Sequence, residues 1–127
     1  MSYQIITNNP NLQDIKAKIN FVEGSFEDVL IKARDLVHGG YELISHPLGA
    51  SLRMFFSPYR SILLTDKISD INESYILTIE NSIENYRKHM KERNPDLENK
   101  EDYALIDKEL LKSSIEEYKK LGMLENK

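Results

Sequence analysis

The sequence predicts an α/β domain with a small, mostly parallel sheet of about four strands, flanked by helices and followed by a C-terminal helical pair. Two observations favour this class. Short β-branched or apolar runs alternate with amphipathic helical stretches, and Ser61–Thr65 is almost continuously apolar, as in a strand covered on both faces. The chain of 127 residues fits one domain, 1–127, in which 1–65 form the sheet and 70–121 the helical pair.

The first two predicted strands end at turn signals. Asn8, Asn9 and Pro10 stop the first strand, because proline fixes φ and lacks a backbone donor. Gly24 and Ser25 close the second. The segment between these two strands is either a brief helix or an irregular crossover. In chain order the predicted strands are Tyr3–Thr7, Ile19–Val22, Tyr41–Ser45 and Ser61–Thr65. With a Rossmann-like order 2-1-3, strands one and three are neighbours.

Capping signals and apolar periodicity predict three helices. Ser25 and Asp28 form a capping box before the first helix, which Gly39 and Gly40 end. Asp70 and Glu73 form a similar cap pair before a helix from Ile71 to about Arg93. The last helix runs from about Asp102 to Leu121. We expect these two C-terminal helices to pack as an antiparallel pair, with apolar surface left over for a partner.

One segment does not fit its surroundings. Residues 47–58 contain two prolines and read as a loop, but Leu52–Phe56 is too apolar for a solvated one. We expect part of this segment to pack against the domain.

Polar side chains follow the first and third predicted strands, where each strand ends. In open α/β sheets ligands bind at the carboxyl edge of the strands. We therefore expect the two segments to meet and form a pocket for a small polar or anionic ligand. The alternative is that Asn8 and Asn9 merely form the turn that ends a strand. The expected pocket residues are Thr7, Asn8, Asn9, His46, Gly49 and Ser51.

His46 is the candidate for acid–base chemistry. It follows a strand and precedes Pro47, which holds it extended at the predicted sheet edge. It is either a general acid or base, or a structural histidine bonded to a loop carbonyl. We assign no other catalytic residue.

Tyr59 and Arg60 bring a phenol and a guanidinium to the start of the fourth strand. Arg60 suits a carboxylate or a phosphate, yet it would pair equally well with a surface acid. Arg60 joins the predicted pocket only if strand four is antiparallel to its neighbours or the preceding loop folds back.

Composition excludes several classes of protein. The chain has no cysteine, so thiol chemistry, disulfides and cysteine-ligated metals are excluded. The net charge of -4 and interspersed basic residues argue against nucleic-acid binding. The three histidines lack metal-ligand spacing, and we predict neither a metal nor a cofactor. Without an apolar leader or membrane-length apolar run, we expect a cytoplasmic protein with no membrane contact.

Four motifs in order resemble the GrdX-like family of small bacterial proteins. They are Ile5-Ile6-Thr7-Asn8-Asn9-Pro10, Gly24-Ser25 with Asp28 to Gly40, His46-Pro47-Leu48 and Ser57-Pro58-Tyr59-Arg60-Ser61. The likeness covers roughly the first 90 residues. Members are encoded beside glycine, sarcosine and betaine reductases, so the resemblance implies an accessory role near that metabolism.

We therefore expect an accessory protein, more a binder than an enzyme, with two alternatives. The first is a small enzyme that uses His46 as general acid or base. The second is an interaction module acting through its C-terminal helices, with a second copy or a reductase component as partner.

Overall fold

The structure, a computed structural model, describes residues 2–49 and 52–124, apart from the side chains of Leu52 and Arg53. Within this part of the chain lie three strands, three α-helices and one 3-10 helix. The strands are β1 (Tyr3–Thr7), β2 (Lys18–Phe21) and β3 (Ser61–Thr65). The helices are α1 (Phe26–His38), the 3-10 helix Leu52–Phe56, α2 (Glu73–Met90) and α3 (Lys100–Lys120).

The sheet has the order β2-β1-β3, with β1 parallel to β2 and antiparallel to β3. The α/β class is confirmed, and the described strands have the order 2-1-3, but the strand beside β1 is Ser61–Thr65 and not the predicted neighbour Tyr41–Ser45. The prediction of a mostly parallel, four-stranded sheet is wrong: over the described residues the sheet is mixed and has three strands. Its third member is Ser61–Thr65, which the sequence placed fourth.

Residues 41–45, the predicted third strand, run alongside β3 but do not form a regular strand. They form a single isolated bridge, between Leu43 and Leu64. The ladder is irregular because the Ser45 hydroxyl accepts the N–H of Leu63 at 2.9 Å, while the N–H groups of Ile44 and Ser45 both reach the Leu63 carbonyl. A serine side chain that competes for a backbone group interrupts regular pairing.

Helices cover the sheet on both faces. α1, α2 and the 3-10 helix pack on the face we call the two-helix face, against alternate residues such as Ile6, Ile62 and Leu64. α3 packs on the opposite face, the α3 face, against Ile5 and Leu63. α2 and α3 therefore do not form the expected antiparallel pair. α2 packs mainly on α1, whereas α3 packs on the sheet, so each finds its apolar partner elsewhere.

The two ends of α1 agree with the capping signals in the sequence. The capping box of α1 is present, with the Ser25 hydroxyl accepting from Asp28 N–H at 3.2 Å. Gly40 has a φ of 105°, as expected for a left-handed stop. α2 is capped by Asn72, rather than by Asp70.

The expectation that Leu52–Phe56 packs in part is confirmed at Phe55. Its side chain is buried, and its ring centroid lies 5.8 Å from that of Tyr86 and 6.5 Å from that of Phe26. The apolar part of the loop therefore joins the core of the two-helix face.

Candidate functional site

The start of β3 lies beside the end of β1. Because the two strands are antiparallel, Thr7 pairs with Ser61, and Arg60 comes next to Asn8. The condition under which Arg60 joins the carboxyl edge of β1 is therefore met. We call Thr7, Asn8, Asn9, Arg60, Ser61 and Asp107 the edge cluster.

The side chain of Asn8 ties three chain segments together. Its amide donates to the carbonyls of Gly24 and Pro58 at 2.9 and 2.8 Å. Its oxygen accepts the backbone N–H of Arg60 at 2.9 Å. Both amide hydrogens of this buried residue are thus used within the chain, which is the behaviour of a structural turn residue.

On the α3 face the edge cluster centres on Asp107, a residue that was not among the predicted site residues. This carboxylate is 2% exposed and accepts three hydrogen bonds. One oxygen accepts Ser61 N–H at 3.0 Å, and the other accepts the Ser61 hydroxyl at 2.6 Å and the Asn9 amide at 3.0 Å. The signal for it was present: Asp107 is the polar member of the buried stripe of α3, whose other members are Ala104, Leu111 and Ile115.

Thr7 and Asn9 complete this network. The Thr7 hydroxyl lies 2.7 Å from the Ser61 hydroxyl and accepts Asn9 N–H at 2.9 Å. The Asn9 amide also donates to the Ala104 carbonyl at 2.9 Å, and its oxygen accepts Asn11 N–H. These bonds fasten the end of β1 to α3.

Arg60 organises the turn of residues 46–49. Its Nε donates to the Pro47 carbonyl and its Nη2 to the His46 carbonyl, both at 2.7 Å. Gly49 has a φ of 72°, and a Cβ there would lie 3.4 Å from both terminal nitrogens of Arg60. Among the described residues, no carboxylate forms an ion pair with this half-buried guanidinium.

Electrostatics of the turn depend on Arg60. Burial lowers the pKa of its guanidinium, and the Asp107 carboxylate raises it. Burial and then the Arg60 charge lower the pKa of His46. The His46 Nδ1 accepts Leu48 N–H at 3.1 Å, so at neutral pH the ring carries its proton on Nε2 and is a donor there.

The predicted pocket residues are thus joined through Arg60, because its backbone bonds to Asn8 and its side chain to the 46–49 turn. Tyr59 lies next to this bridge, with its N–H bonded to the Ser57 hydroxyl at 3.0 Å. Ser51 lies outside the described residues. His38, on the outer side of α1, pairs with Glu80 at 3.0 Å, away from the site.

A concave surface lies along α3, away from the edge cluster. It has a volume of about 460 Å³ and is mostly apolar, with Asp96 and Asp102 among its lining residues. Leu105, Ile106 and Leu110 remain between 43 and 59% exposed on this helix. In the part of the chain that the structure describes, none of the helices combines the length and the apolar character of a membrane span. The same residues contain no group of three or more His, Asp or Glu side chains that could hold a metal ion.

No curated protein and no solved structure matches this chain. A family model does: the one described as GrdX-like protein matches residues 4–116. The match spans β2, β3, α1, α2 and most of β1 and α3, including every residue of the edge cluster. The resemblance carried by the four motifs is confirmed, and the chain belongs to the GrdX-like protein family.

Proposed function

We propose that this chain is an accessory protein that binds a small polar or anionic ligand through its carboxylate or phosphate group, beside Arg60. The observation that carries the proposal is a half-buried guanidinium held by two backbone carbonyls, with no ion-pair partner among residues 2–49 and 52–124. A cation fixed in this way presents its remaining N–H groups to a carboxylate or a phosphate without losing side-chain freedom on binding.

The family name supports the metabolic setting of the proposal, an association with glycine reductase operons. Glycine, sarcosine and betaine all carry a carboxylate, the group that a guanidinium binds through two parallel hydrogen bonds. His46 adds a neutral ring whose Nε2 is a donor, and Gly49 lets the backbone approach the guanidinium closely. This chemistry suits a small carboxylate more than a large apolar ligand.

Binding is favoured over catalysis by the surroundings of His46. A general base needs a free lone pair near the proton that it removes, and Nδ1 is occupied by the Leu48 N–H. Within the described part of the chain, the hydrogen bond of this ring goes to backbone, with no acid beside it to set up a catalytic pair. We therefore assign His46 a binding role.

Thermal unfolding tests this function with glycine, betaine, acetate and inorganic phosphate as probes. A probe at 100 times its dissociation constant stabilises the fold by about 2.7 kcal/mol, which raises the melting temperature by several degrees. We expect the rise with at least one carboxylate or phosphate, and its loss in Arg60→Met. Arg34→Met, which removes an arginine on the outside of α1, is the matched control and should keep the rise.

Two results would contradict the proposal. One is no stabilisation by any probe up to roughly 10 mM, a concentration that saturates even weak sites. The other is an equal rise in wild type and Arg60→Met. Circular dichroism shows whether Arg60→Met keeps its fold, and Arg60→Lys, which keeps the charge without the planar fork, should bind more weakly than wild type.

The apolar outer side of α3 favours a second candidate function, docking of a partner protein. A component of a reductase that offers an apolar side chain next to a basic one would suit the groove and its two acidic residues, Asp96 and Asp102. A homodimer through this helix stays a prediction as well. Ile106→Lys places a charge in the lining of the groove and should abolish either association.

A further inference from the structure

β2 leaves one edge of the sheet open. The strand pairs with β1 on one side, and no described element makes substantial contact with its other side. Two large apolar side chains lie on this strand in water: Ile19 is 36% exposed and Phe21 is 52% exposed. Their β1 partners are Ile5 and Thr7, so both project from the α3 face of the sheet.

The direction of the backbone groups along this edge follows from one hydrogen bond. Val22 donates its N–H to the Thr7 carbonyl at 2.7 Å, so the backbone of Val22 faces β1. In a parallel pair the N–H and C=O of one residue point to the same side, and successive residues alternate. Ile19 and Phe21 therefore direct two donors and two acceptors away from β1, toward the open edge.

We propose that a second copy of this chain pairs with this edge, β2 against β2, in antiparallel orientation. The two-fold axis passes beside Asn20. Ile19 then lies opposite Phe21 of the partner subunit, and the two three-stranded sheets become one continuous sheet. This surface is separate from Arg60 and from the groove on α3, so the proposal does not depend on the proposed function.

The register follows from the geometry of the edge. Residues that both face outward form a hydrogen-bonded pair, in which each gives one N–H and takes one carbonyl. Centring on Asn20 makes two such pairs and places an exposed aliphatic side chain against an exposed aromatic one twice, a favourable cross-strand combination. Centring on Phe21 would instead set Ile19 against the charged Glu23.

The edge is self-complementary, which is what an isologous dimer requires and a foreign peptide does not explain. Proteins usually block such pairing with short edge strands and lysines. Lys18 is the lysine here, but its β1 partner is Gln4, on the other face from Ile19 and Phe21. In the proposed register Lys18 lies opposite Val22 of the partner subunit, at the end of the paired segment, so the two Lys18 charges stay apart.

Single-cysteine variants test the register, because the natural chain has no cysteine. Two Asn20 residues at the axis form a non-hydrogen-bonded pair, with Cα atoms about 4.5 Å apart, which is within reach of a disulfide. Asn20→Cys should therefore give a disulfide-linked dimer under mild oxidation. In the control Lys18→Cys the two thiols sit on residues offset by about 13 Å along the strands, and no linked dimer should form.

The mass in solution tests the pairing itself. Light scattering is measured at protein concentrations from roughly 1 µM to 1 mM, a range that includes the dissociation constants of small interfaces. At the upper end wild type should have twice the monomer mass of 14.8 kDa. Phe21→Pro removes an outward donor and should give a folded monomer, since edge strands tolerate proline where the N–H faces solvent. Asn20→Pro, which removes a bond to β1, should instead lower the melting temperature.

Three results would overturn the proposal. A wild-type chain that stays monomeric at 1 mM excludes the dimer. A dimer that persists in Phe21→Pro and dissociates in Ile106→Lys places the contact on α3. Equal cross-linking of Asn20→Cys and Lys18→Cys contradicts the register, and this readout holds even if Phe21→Pro fails to fold.

Discussion

The two faces of the sheet are covered in different ways. On the two-helix face, α1, α2 and the 3-10 helix bury a large apolar cluster, with Phe26 stacked on Tyr86 at a centroid distance of 4.6 Å. On the α3 face a single helix covers a smaller cluster, and the buried Asp107 bonds to Ser61 and Asn9 beside it.

The difference teaches how each helix is held in place. Apolar burial is strong but non-directional, so the two-helix face gains stability from area and shape. The hydrogen bonds of Asp107 are directional, and they fix the position of α3 relative to the ends of β1 and β3. We therefore expect substitutions on the two faces to destabilise the protein for different physical reasons.

Phe26→Ala should have the largest effect, a loss of about 4 kcal/mol from the free energy of unfolding. The side chain is 1% exposed and stacks on Tyr86, so its removal leaves a cavity in the two-helix core. Urea unfolding measures the loss. Leu77→Ala, at a position 62% exposed on α2, is the control and should cost less than about 1 kcal/mol. Similar losses in both variants would contradict the role of this core.

Asp107→Ala should cost about 3 kcal/mol, because the Ser61 N–H, the Ser61 hydroxyl and the Asn9 amide lose an acceptor in a buried place. Hydrogen exchange should show α3 opening more readily than α1 in this variant. Asp102→Ala, on the exposed side of the same helix, should change little. If Asp107→Ala unfolds at the wild-type urea concentration, the polar network does not hold α3.

Alkaline unfolding should depend on Tyr86. Burial, with a further contribution from Glu27, raises the pKa of Tyr86 to about 12. Because the unfolded phenol ionises near 10, the stabilisation is complete below pH 10 and disappears as the pH rises toward 12, by an amount on the order of 2 kcal/mol. Tyr86→Phe should remove most of this loss. Tyr3→Phe, on the α3 face, should remove less of the alkaline loss of stability. A larger effect of Tyr3→Phe than of Tyr86→Phe would contradict the stronger burial on the two-helix face.

The smallest effect should be the titration of His46, beside the edge cluster. Its pKa lies below the usual 6.5 because of burial and the Arg60 charge. A lowered pKa means that its contribution to stability is present above pH 6.5 and is lost as the pH falls through the folded value. An NMR titration of the ring should show the lowered pKa of His46, and Arg60→Met should move this pKa upward. An unchanged His46 pKa in that variant would mean that the Arg60 charge does not act on the ring.

Much of the fold was predictable from local patterns. β1, α1 with its Ser25–Asp28 box, and β3 lie where the sequence placed them, because caps, turn residues and apolar runs act within a few residues. The same signals placed Thr7, Asn8 and Arg60 at strand ends. The partners of these side chains were not predictable, since Asn8 bonds to residues as far away as Gly24 and Pro58.

The sequence by itself determined the α/β class, the positions of β1, α1 and β3 along the chain, and the family, since each depends on residue patterns along the chain. Only the tertiary structure decided the direction of β3, the separation of α2 and α3 onto opposite faces, and the role of Asp107. These features depend on hydrogen bonds and apolar contacts between distant residues. An apolar stripe looks the same whether it packs on a helix or on a sheet, so the sequence alone did not choose between them.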